Sequence, residues 1–455
     1  MSHITLGQAA QWCGGHVEEQ YRDVEFFGAC NDTRNIQPGQ LFLALKGARD
    51  GHEFIPAAME KGAAAVLCTH SVGDYPAIIV EDVRLALGQI AKEERQRLGC
   101  KVVAVTGSVG KSTTKEMIVS VLQTTYKVGK TPVNHNNDIG MPMAILALEA
   151  GTEVAVLEMG MNHFGEISYL TKIARPDVAV ITNIGTMHIE HLGSRQGILR
   201  AKMEIVEGMS PGGILVVNGD DRLLAPTRIR GLVTYRFGYS NWNCDVKGSD
   251  IAYTPEGLYF KADCWSKEVP VTMKLEGEHF VSDALAAVAV GWQLHVTEEN
   301  ISMGLGQFQN MTGRQEIFEV DGYTIINDCY NAGPESMAAA LTVLHNKPGR
   351  HVAVLGDMLE LGICAQAEHY KLGRLVAEKA DVVLAYGPNS IRVLNGAYTG
   401  GMSETKARAF TDQDRLTEVL KQLAKPGDVI LFKGSRGMHL ERILERFLQK
   451  EECLK

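Results

Sequence analysis

The chain has 455 residues, of which 45% are apolar and 22% charged, and its formal net charge is −9. At roughly 150 residues per domain, this length predicts about three domains of ordinary globular composition. The negative charge argues against a general nucleic-acid-binding protein, because phosphate backbones require clustered Lys and Arg. It does not exclude a local basic pocket for a phosphorylated substrate.

The nine cysteines, from Cys13 to Cys453, are dispersed and show no C-x-x-C spacing. Such a set is typical of reduced thiols in a cytosol and argues against a zinc or redox site. The start of the chain, Met1-Ser2-His3-Ile4, has neither the basic start nor the apolar core of a signal sequence. No apolar run approaches the ~20 residues that span a bilayer. We therefore expect a cytoplasmic protein without membrane insertion.

The first unit is predicted to be a small α/β domain over residues 1–83. A strand is expected at residues 41–45, a short helix at 54–61 and a second strand at 63–68. A charged amphipathic helix over residues 84–98 ends at Gly99 and begins the next unit.

The second unit, residues 84–313, alternates strands and helices, which predicts a mostly parallel sheet covered by helices. The pattern predicts strands at 101–105, 154–157, 178–182 and 213–217, and helices from Lys111 and at 166–174, 194–208 and 282–294. Residues 230–275 carry more turn residues and are predicted to form an antiparallel edge.

The third unit, residues 314–455, is predicted to be doubly wound and Rossmann-like. Its strands are expected at 324–327, 351–355, 382–385 and 429–432. No G-x-G-x-x-G follows any of them, so the fingerprint of a dinucleotide site is absent. The predicted class is thus α/β with three domains, of which the central one resembles a P-loop ATPase.

A glycine-rich loop follows the first strand of the central unit and comprises Thr106, Gly107, Ser108, Val109, Gly110, Lys111, Ser112 and Thr113. Strand, glycine loop, Lys-Ser and helix is the order that holds nucleotide phosphates, with Mg²⁺ on the hydroxyl. The strict motif requires glycine at position 105, where this chain has Val105. The N-K-x-D look-alike at residues 346–349 ends in glycine, so ATP is expected in preference to a guanine nucleotide.

Further polar groups follow neighbouring strands of the same predicted sheet. Glu158 and His188 should reach the edge where the loop lies, because parallel strands share their carboxyl ends there. Each could bind a metal ion, yet Glu158 could also cap a helix and His188 could bond a carbonyl. Lys202 lies on the apolar face of a helix. Its ammonium either extends to solvent or is neutralised, and the position in the helix, taken alone, favours the extended side chain. Carbamylation by CO₂ would instead give a carboxylate that could bind a metal ion.

Short stretches distributed over all three units match the pattern of a known family. They are Asp32-Thr33-Arg34, Asp50-Gly51-His52, 134–140, Glu158-Met159-Gly160, Asn183-Ile184-Gly185 with His188, 201–205, Asp328-Cys329-Tyr330-Asn331-Ala332, 356–362 and 433–437. In these stretches the chain resembles the Mur ligases of bacterial peptidoglycan synthesis over essentially its whole length. It is most similar to the member that joins D-alanyl-D-alanine to UDP-N-acetylmuramoyl-tripeptide.

The resemblance implies an ATP-dependent ligase that forms an acyl phosphate and takes these two small molecules as substrates. The sequence leaves the oligomeric state open, and we expect a monomer. For two Mg²⁺ ions it implies Ser112, Glu158, His188 and carbamylated Lys202, which with Lys111 would be the catalytic set. For ATP it implies the glycine-rich loop together with Asp283, Arg314, Asp328, Tyr330 and Asn331. For the UDP end it implies Thr33, Arg34, Lys46 and His52. For the remaining substrate contacts it implies Asn134, Asn137, Asp357, Lys433, Ser435 and Arg436.

One position departs from the family. Asp283 stands where an asparagine is expected near adenine, and a carboxylate can accept a hydrogen bond from the adenine amino group but cannot donate one. Two other functions remain open. A related amide ligase such as a folylpolyglutamate synthase is disfavoured by the long unit before the glycine loop. A nucleotide-dependent switch is disfavoured by the acid, imidazole and lysine around that loop, since a switch needs no second metal ion.

Overall fold

The computed structural model describes residues 3–265 and 267–449, so Met1, Ser2 and Cys453 lie outside the described residues. The sheets of the described part fall into three successive stretches of the chain, which confirms the predicted α/β class with three units. The eight described cysteines are free thiols, in line with the prediction of reduced cysteines. No described helix is long and apolar enough to cross a membrane.

The N-terminal unit contains a parallel sheet, in the order β3-β4-β5-β6, and a separate antiparallel pair, β1-β2. Its strands and helices are β1 (Ile4–Thr5), α1 (Leu6–Cys13), β2 (Glu25–Phe26), β3 (Ala29–Cys30), β4 (Leu41–Leu43), α2 (Ile55–Glu60), β5 (Ala65–Cys68) and β6 (Ala77–Ile79), and α3 (Val83–Leu98) follows at the boundary with the central unit. The helix predicted at 54–61 is a 3₁₀ turn, Gly51–Phe54, followed by α2, which has a proline in its first turn.

Helix α3 joins the first two units. Asp82 caps its N-terminus by accepting from the backbone of Arg84 and Leu85, and Gly99 ends it in the left-handed conformation. The buried face of α3 belongs to one apolar core that also contains residues of both neighbouring units, Ile4 and Leu157 among them. The two units are therefore packed as one body along this helix.

The central unit is built on one sheet in the order β15-β14-β13-β12-β11-β10-β7-β9-β8. Its strands and helices are β7 (Lys101–Thr106), α4 (Lys111–Leu122), β8 (Val128–Lys130), α5 (Gly140–Leu146), β9 (Val154–Glu158), α6 (Glu166–Ala174), β10 (Val178–Ile181), α7 (Ile189–Leu192), α8 (Arg195–Met203), β11 (Ile214–Asn218), β12 (Val233–Gly238), β13 (Val246–Thr254), β14 (Gly257–Cys264), β15 (Lys267–Met273), α9 (His279–Gln293) and α10 (Glu298–Gln307).

The edge predicted as antiparallel is only partly so. Strand β12 pairs in parallel with β11 and with β13, and the antiparallel pairing begins between β13 and β14. The prediction was wrong for β12 because its turn-rich surroundings give no local sign of its long-range partner. The helix predicted at 194–208 is α8 followed by a 3₁₀ helix, Glu204–Gly208.

The C-terminal unit has the sheet order β16-β17-β21-β18-β19-β20, parallel except for the β16-β17 hairpin. Its strands and helices are β16 (Glu316–Val320), β17 (Tyr323–Asp328), α11 (Pro334–His345), β18 (Arg350–Gly356), α12 (Ala365–Lys379), β19 (Val382–Tyr386), α13 (Ser390–Thr399), β20 (Ala407–Phe410), α14 (Gln413–Leu423), β21 (Asp428–Lys433) and α15 (Leu440–Leu448). Separate cores on the two faces of the sheet make it doubly wound, as predicted.

Candidate active site

A cavity of about 570 Å³ lies where the carboxyl ends of two parallel sheets face each other. The central sheet contributes the glycine-rich loop after β7, Glu158 at the end of β9 and Asn183 after β10. The C-terminal sheet contributes Asp328 at the end of β17 and Lys433 at the end of β21. Ligands of α/β sheets bind at this kind of edge.

The glycine-rich loop leaves no space for side chains at its two glycines. A Cβ on Gly107 would lie 1.8 Å from Thr182 Oγ1, and one on Gly110, which has a φ of +82°, would lie 2.5 Å from Asp283 Oδ1. Asn183 braces the loop by accepting from the Val109 N–H at 3.0 Å. The first turn of α4 lines the cavity, and because the first N–H groups of a helix lack partners within it, such a turn is suited to bind an anion.

Two further loop residues differ in their roles. Thr106 is fully buried, and its hydroxyl donates to the carbonyl of Met159 at 2.8 Å, so it braces the end of β7. Lys111 Nζ donates to the carbonyls of Gly107 and Ser108 at 2.9 and 3.3 Å. Burial lowers the pKa of Lys111 and Arg314 lowers it further, against the opposing effect of Glu158. An anion in the cavity would compensate this positive charge.

Ser112 contacts residues of both the central and the C-terminal unit. Its hydroxyl donates to Glu158 Oε2 at 2.7 Å and accepts from Arg314 Nη2 at 2.9 Å. The other carboxylate oxygen of Glu158 accepts from Asn136 Nδ2 at 2.7 Å. Ser112 and Glu158 are thus brought together as predicted, and the C-terminal unit reaches them through Arg314.

His188 contacts the C-terminal unit. It has a left-handed backbone, with φ of +63°, and its Nδ1 lies 2.5 Å from Glu360 Oε2. The approach lacks hydrogen-bond geometry, and within the described residues this buried nitrogen makes no hydrogen bond. His188 nevertheless lines the cavity.

Lys202 is buried, with 1% of its surface exposed, and its Nζ donates to the carbonyl of Gly107 at 2.9 Å. The side chain does not reach solvent, so the interpretation of a side chain extended to solvent is wrong. Burial holds the pKa of Lys202 well below its ordinary value, and the positive charge of Lys111 lowers it further. Both effects shift the equilibrium of this amine towards its neutral form.

The resemblance implies a divalent cation beside the phosphate loop, where the side chains offer few metal ligands. Among the described residues, no three His, Cys, Asp or Glu side chains converge on one point. The Ser112 hydroxyl and the Glu158 carboxylate nevertheless present two oxygen donors beside an anion site. Mg²⁺ prefers oxygen ligands and keeps several of its waters. It therefore needs only one or two protein oxygens beside the phosphates of a substrate. These two residues fit a magnesium ion.

Asp283 lies against the phosphate loop on α9. Its Oδ1 accepts from the Thr114 hydroxyl at 2.7 Å, and the residue lines the cavity beside Gly110. Burial raises the pKa of Asp283 to about 7, against the opposing effects of Thr114 and Arg314. Near neutral pH its carboxyl is thus divided between the donor and the acceptor form.

The C-terminal wall of the cavity is a network of charges around one aromatic ring. Arg314 and Arg436 lie over the Tyr330 ring, with guanidinium carbons 3.8 and 5.5 Å from its centroid. Lys433 Nζ lies 2.6 Å from Asp328 Oδ2 and donates to the carbonyl of Asn331 at 3.0 Å. Burial raises the pKa of Asp328, while Lys433 opposes the shift.

Two residues expected at the dipeptide are internal braces in this structure. The Asp357 carboxylate is buried and accepts from the backbone and side chain of Asn389. The Ser435 hydroxyl is also buried and accepts from the Leu359 N–H at 2.9 Å. Both support loops beside the cavity and are absent from its lining.

The remaining expected residues are distributed over two regions. Asn137 lines the cavity and accepts from the backbone of Gly140 at 2.7 Å, and Asn134 accepts from the Tyr330 hydroxyl. In the N-terminal unit Thr33 and Lys46 are accessible, and the largely exposed Arg34 lies 2.6 Å from Asp32. His52 is internal, because its ring contacts Asp50 at 2.6 Å and accepts from the Thr69 N–H at 3.1 Å.

Sequence reasoning missed three residues of the site. Asn136 contacts Glu158, Asn183 contacts the glycine-rich loop, and Glu360 contacts His188. Asn136 and Asn183 stand in stretches that were singled out, but nothing in the spacing separates them from Asn134 and Asn137. Glu360 could not be found locally, because its partner is 172 positions away in the chain.

The sequence is similar to known proteins along nearly all of the chain. Residues 28–95 match the Mur ligase family catalytic domain, 105–291 the Mur ligase middle domain and 313–436 the Mur ligase glutamate ligase domain. The UDP-N-acetylmuramoyl-tripeptide–D-alanyl-D-alanine ligase of Bacillus subtilis (strain 168) is 41% identical over 96% of both chains.

Two solved structures are similar over nearly all of both chains. A crystal structure of MurF from Acinetobacter baumannii has a TM-score of 0.91 at 35% identity, covering 99% of this chain and 100% of its own. MurF ligase from Thermotoga maritima, in complex with ADP, has a TM-score of 0.82 at 32% identity, covering 93% and 97%. With relatives of this identity along its full length, and with a braced phosphate loop at the meeting point of its two larger sheets, the chain belongs to the Mur ligase family.

Proposed function

We propose that this chain is an ATP-dependent ligase that joins D-alanyl-D-alanine to UDP-N-acetylmuramoyl-tripeptide. The observation that carries the proposal is the contact of Ser112 with both Glu158 and Arg314, since it brings the C-terminal unit onto the phosphate loop. A relative that is 41% identical over 96% of both chains is a UDP-N-acetylmuramoyl-tripeptide–D-alanyl-D-alanine ligase. We assign residues 1–83 to the UDP end, 84–313 to ATP and 314–455 to the dipeptide and to completion of the ATP site.

The proposed reaction has two steps. The tripeptide's terminal carboxylate attacks the γ-phosphate of ATP, which breaks the bond to the β-phosphate oxygen and gives an acyl phosphate and ADP. The free amine of the dipeptide then attacks the acyl carbon, phosphate leaves with the C–O bond electrons, and the amine loses a proton. Lys111 and Arg314 offset the negative charge that develops on the transferred group. The facing units exclude the water that would hydrolyse the acyl phosphate.

For the cation we propose Ser112, Glu158, His188 and carbamylated Lys202 as ligands of two Mg²⁺ ions. Bound magnesium would supply positive charge beside the phosphates of ATP. The Nδ1 of His188 lies against the Glu360 carboxylate, so Nε2 would be the nitrogen that binds a metal ion, with Glu360 orienting the ring. Lys202 is suited to carbamylation because its amine is buried and favoured in the neutral form that reacts with CO₂. The added carboxylate would reverse its charge.

For the nucleotide we propose the loop from Thr106 to Thr113 at the phosphates and Asp283, Asp328, Tyr330 and Asn331 around the remainder. Asp283, Asp328, Tyr330 and Asn331 all line the cavity that contains the loop. For the UDP end we keep Thr33, Arg34, Lys46 and His52, of which the internal His52 would act by holding its loop.

For the acceptor we propose that Arg436 holds the carboxylate of the dipeptide, with Lys433 nearby and with Asp357 and Ser435 as supports of their loops. Arg436 is exposed and lies within about 9.3 Å of the Arg314 guanidinium, from the distances of both to the Tyr330 ring. A dipeptide spans roughly 7 Å when extended, which suits an amine at the reacting centre and a carboxylate at Arg436. Asn134 and Asn137 would face the peptide stem from the opposite wall.

Phosphate release with each substrate omitted in turn tests the function. We expect release only when ATP, UDP-N-acetylmuramoyl-tripeptide and D-alanyl-D-alanine are all present. Release with a folate substrate and glutamate would support a folylpolyglutamate synthase, and hydrolysis indifferent to every acceptor would support a switch. We also propose that the enzyme acts in the cytoplasm and that it is a monomer. Sedimentation of the purified chain tests the monomer.

A further inference from the structure

A buried lysine that the proposed reaction does not use lies one turn beyond Lys111 on the phosphate-loop helix. Lys115 is fully buried, and its Nζ donates to the carbonyl of Thr131 at 2.8 Å and lies 2.9 Å from Glu116 Oε1. The other oxygen of Glu116 lies 2.5 Å from Lys130 Nζ. A buried ammonium costs several kcal/mol unless it is paired, so its position depends on these partners.

Thr131 connects this lysine to the strand that ends in Glu158. It is fully buried directly after β8, and its N–H donates to the carbonyl of Val156 at 3.1 Å. Its hydroxyl accepts from the backbone N–H of Glu158 at 3.0 Å. Thr131 thus accepts from the Lys115 ammonium through its backbone carbonyl and from the Glu158 N–H through its side-chain hydroxyl.

The segment that begins at Thr131 also holds the carboxylate of Glu158. Asn136 donates to Glu158 Oε1 at 2.7 Å, and its carbonyl accepts from Gly160 at 2.8 Å. A Cβ on Gly160 would lie 3.0 Å from the Asn136 side chain, so the two segments are in close contact. Glu158 is therefore fixed at both its backbone and its side chain by residues 131–136.

We propose that Lys115 and Thr131 are positioning residues that set Glu158 against Ser112. Ser112 and Lys115 lie on the same helix, so α4 is tied to the end of β9 twice, once through the Ser112 hydroxyl and once through Thr131. A displacement of about 1 Å at a reacting centre can cost 10²-fold in rate. The inference rests on the proposed function, in which Glu158 is a magnesium ligand.

A pair of substitutions at Thr131 isolates the hydroxyl. Thr131→Val keeps the shape but removes the acceptor for the Glu158 N–H, whereas Thr131→Ser keeps it. We expect Thr131→Val to lower kcat for phosphate release at least about tenfold, with KM for the UDP-peptide within about threefold. Thr131→Ser should retain the wild-type kcat. Lys115→Met should show the pattern of the valine variant, and Lys115→Arg partial recovery.

Thr417→Val is the matched control, because Thr417 is also a buried threonine whose hydroxyl is bonded, to the carbonyl of Gln413 at 2.8 Å, but it lies on α14. It should lower Tm without changing kcat. A wild-type kcat in Thr131→Val, or equal losses of kcat in both valine variants, would overturn the inference.

Equilibrium binding of ADP gives a readout that does not depend on the acceptor substrates. Thr131→Val should reduce the enhancement of ADP affinity by Mg²⁺ at least about threefold while leaving affinity in EDTA unchanged. An unchanged magnesium effect would also overturn the inference. In a third outcome, wild type binds ADP more tightly with Mg²⁺ and Thr131→Val loses this enhancement, while wild type fails to turn over the proposed substrates. That result would contradict the proposed function and leave the positioning role intact.

Discussion

Arg314→Met is expected to lower kcat for phosphate release by roughly 10²-fold. The change removes the hydrogen bond of the guanidinium to Ser112 Oγ at 2.9 Å and its contact with the Tyr330 ring at 3.8 Å. A hydrogen bond from a charged group contributes about 2 kcal/mol and such a cation–π contact about 1 kcal/mol. Their sum, about 3 kcal/mol, corresponds to the stated factor if both act in the transition state.

The assay is phosphate release at saturating ATP and both peptide substrates, with Tm measured in parallel. Arg415→Met is the control, because Arg415 is exposed on α14 and its guanidinium pairs only with Glu418 in the described contacts, at 3.0 Å. It should leave kcat unchanged. If Arg314→Met stayed within threefold of wild type, the C-terminal unit would not complete the site through this residue.

Three other variants test separate parts of the site. Lys111→Ala should abolish turnover while Tm shows an intact fold, and an active variant would remove the loop from the mechanism. Lys202→Arg should be nearly inactive, because a guanidinium cannot form the carbamate; normal activity would exclude its role at the metal. Because burial raises the pKa of Asp283 to about 7, its contribution to stability is present at low pH and falls as pH rises from about 4 to about 7. Asp283→Asn should remove that part of the decline in Tm, and equal pH slopes in both proteins would contradict the assignment.

Local sequence patterns predicted the parts of the molecule that depend on local chemistry. The strand and helix around the glycine-rich loop lie as predicted, as β7 and α4, because buried β-branched residues and a glycine turn specify them without partners. The apolar spacing around Lys202 correctly placed it on the buried face of its helix. That spacing could not show that its amine meets the carbonyl of Gly107, 95 positions away.

Contacts between distant segments account for what sequence could not supply. The parallel pairing of β12 and the approach of Glu360 to His188 are both set by tertiary packing. The same holds for Asp357, whose motif suggested a ligand contact although the fold buries its carboxylate against Asn389. A motif identifies a polar residue near a strand end, but only the packing decides whether it faces the cavity or the loop behind it.

The transfer of an oxygen atom tests the central claim most directly. UDP-N-acetylmuramoyl-tripeptide labelled with ¹⁸O in its terminal carboxylate should give phosphate that carries one ¹⁸O atom, because the attacking carboxylate oxygen stays on phosphorus when the amine expels phosphate. The label should appear only with ATP and D-alanyl-D-alanine present. Unlabelled phosphate released together with the ligated product would contradict an acyl phosphate and with it the proposed mechanism.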